Sequence, residues 1–223
     1  MRRCVLALGL MVVGWSTALA DPPMATKADF RTARPDNWTV NFGSWEVADG
    51  VLVAGQIAAD NHAAASRWQL PLNDGVVTLK LQFAGATAFH IGFDPAPGQL
   101  DKQGHLYSLI VTPTKAELKK HRNKADPKSK DETLASAAYA AAADRWLNIE
   151  LRTEGDRASA VIAAAEGAAA DVAKLEAADA TFHVSKPAVV FRVIGSQVRL
   201  ADVEVRVTKP PKDPIKPAAA RVR

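Results

Sequence analysis

The sequence predicts an all-β protein built as a two-sheet antiparallel sandwich. Three observations lead there. Short segments alternate apolar and polar residues with period two, turn signals recur between them, and nothing shows the strand–helix–strand rhythm of a parallel sheet.

Taken in order, residues 38–40 and 44–47 precede Val51-Leu52-Val53 across Ala48-Asp49-Gly50. An Asp-Gly pair between alternating apolar residues signals a tight hairpin, because both central positions want φ > 0. Four alternating segments follow, at 67–70, 76–83, 87–94 and 105–111. In the second, Val77, Leu79, Leu81 and Phe83 share one face and Thr78, Lys80 and Gln82 the other. In the third, Phe89, Ile91 and Phe93 oppose Ala88, His90, Gly92 and Asp94. Such half-buried strands belong to an antiparallel sheet with one face on the core and one in water.

Beyond Pro113 the chain becomes charge-dense. Residues 119–132 carry six basic and three acidic side chains and read as an exposed basic insertion. Strand character resumes at 146–151, turns at Gly155-Asp156, returns over 158–162, and closes with two long strands at 189–193 and 198–207 around Gly195-Ser196. The alanine-rich runs 134–143 and 163–178 favour helix by propensity but lack an apolar stripe at helical spacing. A short helix is expected near 168–178 only.

The ends are of a different character. Met1-Arg2-Arg3, an apolar stretch over 5–15 and Ala18-Leu19-Ala20 match a secretory signal peptide cleaved after Ala20, which implies a secreted or periplasmic protein with no membrane span. Cys4 leaves with that segment, so no disulfide or thiol chemistry is expected. Residues 21–28 read as a flexible leader, 29–208 as one domain, and 209–223, with Pro210, Pro211, Pro214 and Pro217 among basic residues, as a disordered tail. The chain carries 28 Lys and Arg against 24 Asp and Glu. Because that excess sits in the insertion and the tail and not in a groove, the charge pattern argues against a nucleic-acid partner.

Candidate binding residues come from the polar parity of the strands: Arg67, Gln69, Lys80, Gln82, His90 and Asp94, with Ser108 of the same kind. Donors and acceptors spread over strands about 4.8 Å apart can meet several hydroxyls of a sugar at once. A plain solvated sheet face is the competing reading, since polar-out alternation is the default for antiparallel sheets. His90 and Asp94 share a face but lie about 13 Å apart along a strand, too far for a dyad. Among the aromatic residues Trp68 shares the parity of Leu70 and is expected in the core, whereas Trp38 and Tyr107 are the ones expected to be open to a ligand. The five histidines show no zinc-binding spacing, Asn73-Asp74-Gly75 and Asp94 with Asp101 fall short of a calcium loop, and no metal or cofactor is expected.

Several pieces together resemble a known family: Trp45-Glu46-Val47-Ala48-Asp49-Gly50-Val51-Leu52, His90-Ile91-Gly92-Phe93, Gly104-His105-Leu106-Tyr107, Asp126-Pro127-Lys128-Ser129-Lys130, Arg145-Trp146-Leu147 and Val190-Phe191-Arg192-Val193. Their order over 38–207 is similar to the 3-keto-disaccharide hydrolase-like domain, also described as family-16-glycoside-hydrolase-like. The resemblance implies a concanavalin A-like jelly roll whose concave sheet faces a carbohydrate. It brings no catalytic set, because the Glu-x-Asp-x-x-Glu run of the family-16 hydrolases is missing. The expectation is therefore a secreted domain that binds carbohydrate or a cell-surface glycan without identifiable catalytic acids. The alternatives are a glycoside hydrolase acting on 3-keto-disaccharides or related glycosides, and an envelope or matrix structural protein.

Overall fold

A computed structural model describes residues 24–140, 144–166 and 173–215. The expected signal peptide, the first residues of the leader, residues 168–172 and the end of the tail from 216 lie outside the described residues.

The chain folds into two antiparallel sheets. Strands β1 (Met24–Lys27), β3 (Ser44–Ala48), β4 (Val51–Gly55), β6 (Asp74–Phe83), β11 (Trp146–Glu154), β12 (Arg157–Ala164), β13 (Ala173–Ala178) and β15 (Val198–Lys209) form an eight-stranded sheet. Its order is β13-β12-β11-β6-β15-β4-β3, with β1 also on β15. Strands β2 (Trp38–Phe42), β5 (Ala64–Trp68), β7 (Ala86–Phe93), β8 (Tyr107–Val111), β9 (Lys115–Lys120), β10 (Glu132–Ala138) and β14 (Val189–Gly195) form the seven-stranded partner, ordered β10-β9-β8-β7-β14-β5-β2. The only described α-helix is the single turn α1 (Leu100–Gln103).

The expected hairpin is β3–β4, with Asp49 at φ 52° and Gly50 at φ 76°. These values suit a tight turn whose twist matches the strands. The alternation read for 76–83 and 87–94 places Val77, Leu79 and Leu81 from one sheet against Phe89, Ile91 and Phe93 from the other, all buried. Trp38 stacks on Phe191 with centroids 4.9 Å apart, and Trp68 is fully buried with its indole N–H donating to Asn37 Oδ1 at 2.9 Å.

Three expectations give way. Residues 24–27 are not leader: they pair with 204–207 of β15 and satisfy one of its edges. The helix expected near 168–178 is replaced, from Ala173 onward, by β13, whose Ala173 and Leu175 are buried while Lys174 and Glu176 are exposed. Alternating burial and the ladder to β12 outweigh the helix propensity of alanine. The run from 134 likewise begins in the edge strand β10, paired with β9. Finally, the four consecutive alternating segments do not share one sheet: 76–83 belongs to the eight-stranded sheet, the other three to the seven-stranded one.

The connection entering β14 is pinned by Lys186. Its ammonium is buried and donates to the carbonyls of Phe182 at 2.6 Å and Val184 at 3.1 Å, and to that of Asn73. It also lies 5.6 Å from the Phe93 ring centroid and 5.7 Å from that of Tyr107. Burial pushes the amine down to about 8, against the attraction of Asp74. This anchor fixes Pro187 and Ala188 at one end of the seven-stranded sheet.

Candidate functional site

At that end of the seven-stranded sheet, on its outer face, a cleft of about 500 Å³ opens between the strand ends and residues 95–101. Its polar groups come from separate strands. Arg67 on β5 reaches Asp94, which follows β7, through Nε at 2.8 Å and Nη2 at 2.6 Å, both to Oδ2. The other carboxylate oxygen, Oδ1, meets His105 Nδ1 at 2.5 Å. Arg67 Nη1 donates to Asn41 Oδ1 on β2. Gln69 donates to Thr39 Oγ1 at 3.2 Å along the same wall.

Each group is aimed by the backbone. Arg67 lies across from Thr39 on one side and Val190 on the other. The register of β2 on β5 shifts between Val40 and Phe42, and the resulting bulge gives Asn41 no direct partner in the ladder. Bulges re-aim side chains in this way. His105 reaches Asp94 because β7 and β8 pair from Phe93 and Tyr107 inward, so the two ends of the intervening connection face one another.

One wall is aromatic. Phe42 and the exposed His62 stack with centroids 4.1 Å apart and 25° between planes, and both line the cleft. A partly exposed pair of flat rings beside fixed hydrogen-bonding groups offers an apolar platform next to polar contacts.

Asp94 is nearly enclosed, with 6% of its side chain accessible against 15% for Arg67. Burial would raise its carboxyl, but the hydrogen bond from His105 and the charge of Arg67 outweigh that and hold it below the usual carboxylate value. The carboxylate is thus ionised and fully engaged, which makes it an anchor for Arg67 and His105 and a poor proton donor.

Further along the same face lie more histidines. His105 and His121 approach edge to face at 5.8 Å, and His121 Nε2 lies 2.9 Å from Ser108 Oγ. Burial, then the charge of His105, pushes the His121 ring down to about 4. His90, 6% exposed, is pushed down to about 3 by burial, then by Arg192 and the other histidines. Both rings are neutral near pH 7. The outward parity of β7 is therefore not wet, as the alternation suggested. Ala88, His90, Gly92 and Asp94 are all buried, because β7 is central in its sheet and Arg192, Ser108 and Ile110 flank it.

The sequence-derived candidates divide three ways. Arg67, Gln69 and Asp94 meet in the cleft, and His90 lies deeper on the same face. Lys80 and Gln82 are on the outer face of the opposite sheet, where Lys80 pairs with Asp202 at 2.9 Å and Gln82 donates to the Asp144 carbonyl at 2.6 Å. Tyr107 is a core residue, 1% exposed, its hydroxyl directed at the Phe182 carbonyl at 3.4 Å. It has the inward parity of Leu109 and Val111, so it cannot present a ring to a ligand. Trp38, also expected to be open, is buried. Asn41, Phe42, His62 and His105 were not among the candidates. For His105 a signal existed, since it ends the connection that begins at Asp94. For Asn41 none did, because a bulge is not written in the alternation.

Among the described residues no group of three or more His, Cys, Asp or Glu is arranged to hold a metal ion, and no helix is long and apolar enough to cross a membrane.

The architecture is a jelly roll of the lectin kind. Solved structures with this fold include the carbohydrate-binding module CBM66 from Bacillus subtilis, at TM-score 0.54 and 13% identity over 75% of this chain and 94% of that one. The CBM2 module of the evolved Dit protein of Lactobacillus casei BL23 phage J-1 aligns at TM-score 0.57 and 11% identity, covering 82% and 96%. Lectin UEA-II, complexed with galactose, aligns at TM-score 0.53 and 9% identity, covering 82% and 98%. No protein-family model matches this chain, and no curated protein matches its sequence.

Proposed function

We propose that this chain is an exported carbohydrate-binding domain whose ligand occupies the cleft between Phe42–His62 and Arg67–Asp94–His105. The observation that carries this reading is the stacked Phe42–His62 pair set beside polar groups that four separate segments hold rigidly. A sugar ring presents a flat apolar face and a rim of hydroxyls, and such a wall complements both. The lectin-like fold supports the same reading, and the signal-like residues 1–20 support export to the periplasm or beyond.

Binding without cleavage is the reading favoured over hydrolysis. A glycosidase needs one carboxyl kept protonated as acid and a second as nucleophile or base. Asp94 is held ionised between Arg67 and His105, which suits positioning and not proton donation.

The test is an array of neutral glycans probed with the mature protein, followed by titration of the best binder against Phe42→Ala. Selective binding that falls at least tenfold in the variant is expected. Binding absent from this array and from acidic glycans alike, or a Phe42→Ala protein that binds as the parent does, would refute the assignment.

A further inference from the structure

One part of the outer face is not used by the cleft as described. Arg192 on β14 pairs with His90 of β7 on one side and Ala65 of β5 on the other. It is half-buried, its Nε is enclosed without a hydrogen-bond partner, and among the described residues no carboxylate lies within ion-pair distance of it. His90, beside it and more than nine-tenths buried, likewise has an enclosed Nδ1 without a partner. Two unpartnered polar side chains side by side on one face are costly. An enclosed donor lacking an acceptor costs about 1–3 kcal/mol, and an unpaired charge costs more.

The neighbours differ on the two sides of Arg192. On the β5 side Ala65 contributes only a methyl group, whereas on the β7 side the space over Gly92 is taken by Ser108, whose Oγ a Cβ there would meet at 2.6 Å. Arg192 is a diagonal neighbour of Arg67 across the β5–β14 ladder, and diagonal pairs lie about 7–8 Å apart. The unpartnered guanidinium is therefore one step from the cleft. Nearby negative charges are already engaged: Asp94 by Arg67 and His105, Asp131 by Lys119 at 3.4 Å.

We infer that the ligand of this face is an acidic glycan, whose oxyanion substituent, a carboxylate or a sulfate ester, docks on Arg192 beside His90 while its sugar ring lies in the cleft. An oxyanion is the acceptor a guanidinium fork matches best. Meeting the accessible part of the half-buried side chain, it would supply the counter-charge that no ion pair among the described residues gives Arg192. This rests on the carbohydrate reading and narrows it to a ligand class.

Four probes decide it by calorimetric titration: oligogalacturonate and its carboxyl-reduced neutral counterpart, and a sulfated galactan oligosaccharide and its desulfated form. In at least one pair the acidic member is expected to bind at least tenfold more tightly, and the pair that shows it identifies the oxyanion. Arg192→Gln should reduce that preference below threefold while leaving the neutral member's affinity unchanged. Arg192→Lys, which keeps the charge but has no fork, should fall between. Lys128→Gln with Lys130→Gln should keep the full preference, because those charges belong to the exposed connection. Equal affinity within both pairs overturns the inference and leaves neutral-sugar binding standing, as does a preference that survives Arg192→Gln or vanishes with the lysine pair. Binding to none of the four also overturns it, and together with a silent neutral array removes the carbohydrate reading as well. If Arg192→Gln does not fold, the wild-type comparison within each pair still decides.

Discussion

The two outer faces of this sandwich carry polar residues at the same period, yet they are different kinds of surface. On the eight-stranded sheet the polar groups are solvated and paired pointwise: Lys80 with Asp202, both about half exposed, and Arg152 with Glu150. On the seven-stranded sheet, Asp94 and Ser108 are buried and Arg67, His105 and His121 partly so, held by hydrogen bonds among these side chains, with the buried His90 and the half-buried Arg192 beside them. Polar-out alternation alone does not distinguish a solvated face from a functional one; burial of the polar groups does. Water screens an exposed ion pair to little net worth, whereas enclosed charges need fixed partners and define a geometry. The contrast can be broken by substitutions on each side.

The largest effect is expected at Asp94. Asp94→Ala leaves Arg67 enclosed and deprives His105 of its acceptor, and breaking a buried pair by removing one partner costs about 3–5 kcal/mol. Urea denaturation at pH 7 should show a loss of that size, together with loss of glycan binding. A change no larger than that of a typical surface substitution would mean that the Arg67–Asp94 pair is solvated after all, and the contrast between the faces would fail.

Next in size is the acid response. The His90 and His121 rings are held neutral in the folded protein, down to about 3 and about 4, whereas an unfolded chain takes up protons near 6.5. Between pH 6.5 and about 4 the unfolded state therefore binds more protons than the folded one, and stability falls as the pH falls. At about 1.4 kcal/mol per pH unit, His121 alone contributes on the order of 3 kcal/mol across that window. Denaturation midpoints from pH 7 to pH 4 should fall steeply in the wild type and less steeply in His121→Gln. Parallel curves would show that the ring is charged in the folded state.

How much of this could be read from the chain turns on a distinction between parity and partnership. Parity was legible: the inward sets of 76–83 and 87–94, the Asp49-Gly50 hairpin and the core position of Trp68 follow from side-chain alternation and turn chemistry. Partnership was not. The strands β6 and β7 are consecutive and separated only by Ala84 and Gly85, the latter at φ 93°, yet they lie in different sheets, because β6 finds its ladders with β11 and β15. Lys80 and Gln82 were therefore grouped with His90 and Asp94 when the sandwich sets them back to back. Tyr107 and Trp38 failed for a related reason, since amphipathic character does not say which side of a strand faces the second sheet. Apart from Asp94 with His105, the cleft depends on pairings between residues far apart in the chain, such as Arg67 with Asn41, 26 positions away, and Arg67 with Asp94, 27 positions away, and no local pattern encodes them.

The smallest expected effect sharpens the comparison from the other side. Lys80 and Asp202 also make a close ion pair, at 2.9 Å, and Lys27 stands 3.7 Å from the same carboxylate. The side chains of Lys80 and Asp202 are 43% and 52% exposed, so each is hydrated whether or not the other is present. Asp202 owes its position to the backbone: it sits at φ 49° in the bulge where β15 shifts against β6, and the bulge does not need the lysine. The cluster raises the Lys80 ammonium and lowers the Asp202 carboxyl, through their mutual hydrogen bond first, but at this exposure the shifts carry little stability. Lys80→Ala should leave both the denaturation midpoint and the glycan affinity within error of the wild type. A loss of binding in that variant would move the ligand to the eight-stranded sheet, where a second recess of about 410 Å³ borders Lys80, Glu150 and Asp202, and would make the buried network of the other face a structural element instead of a recognition site.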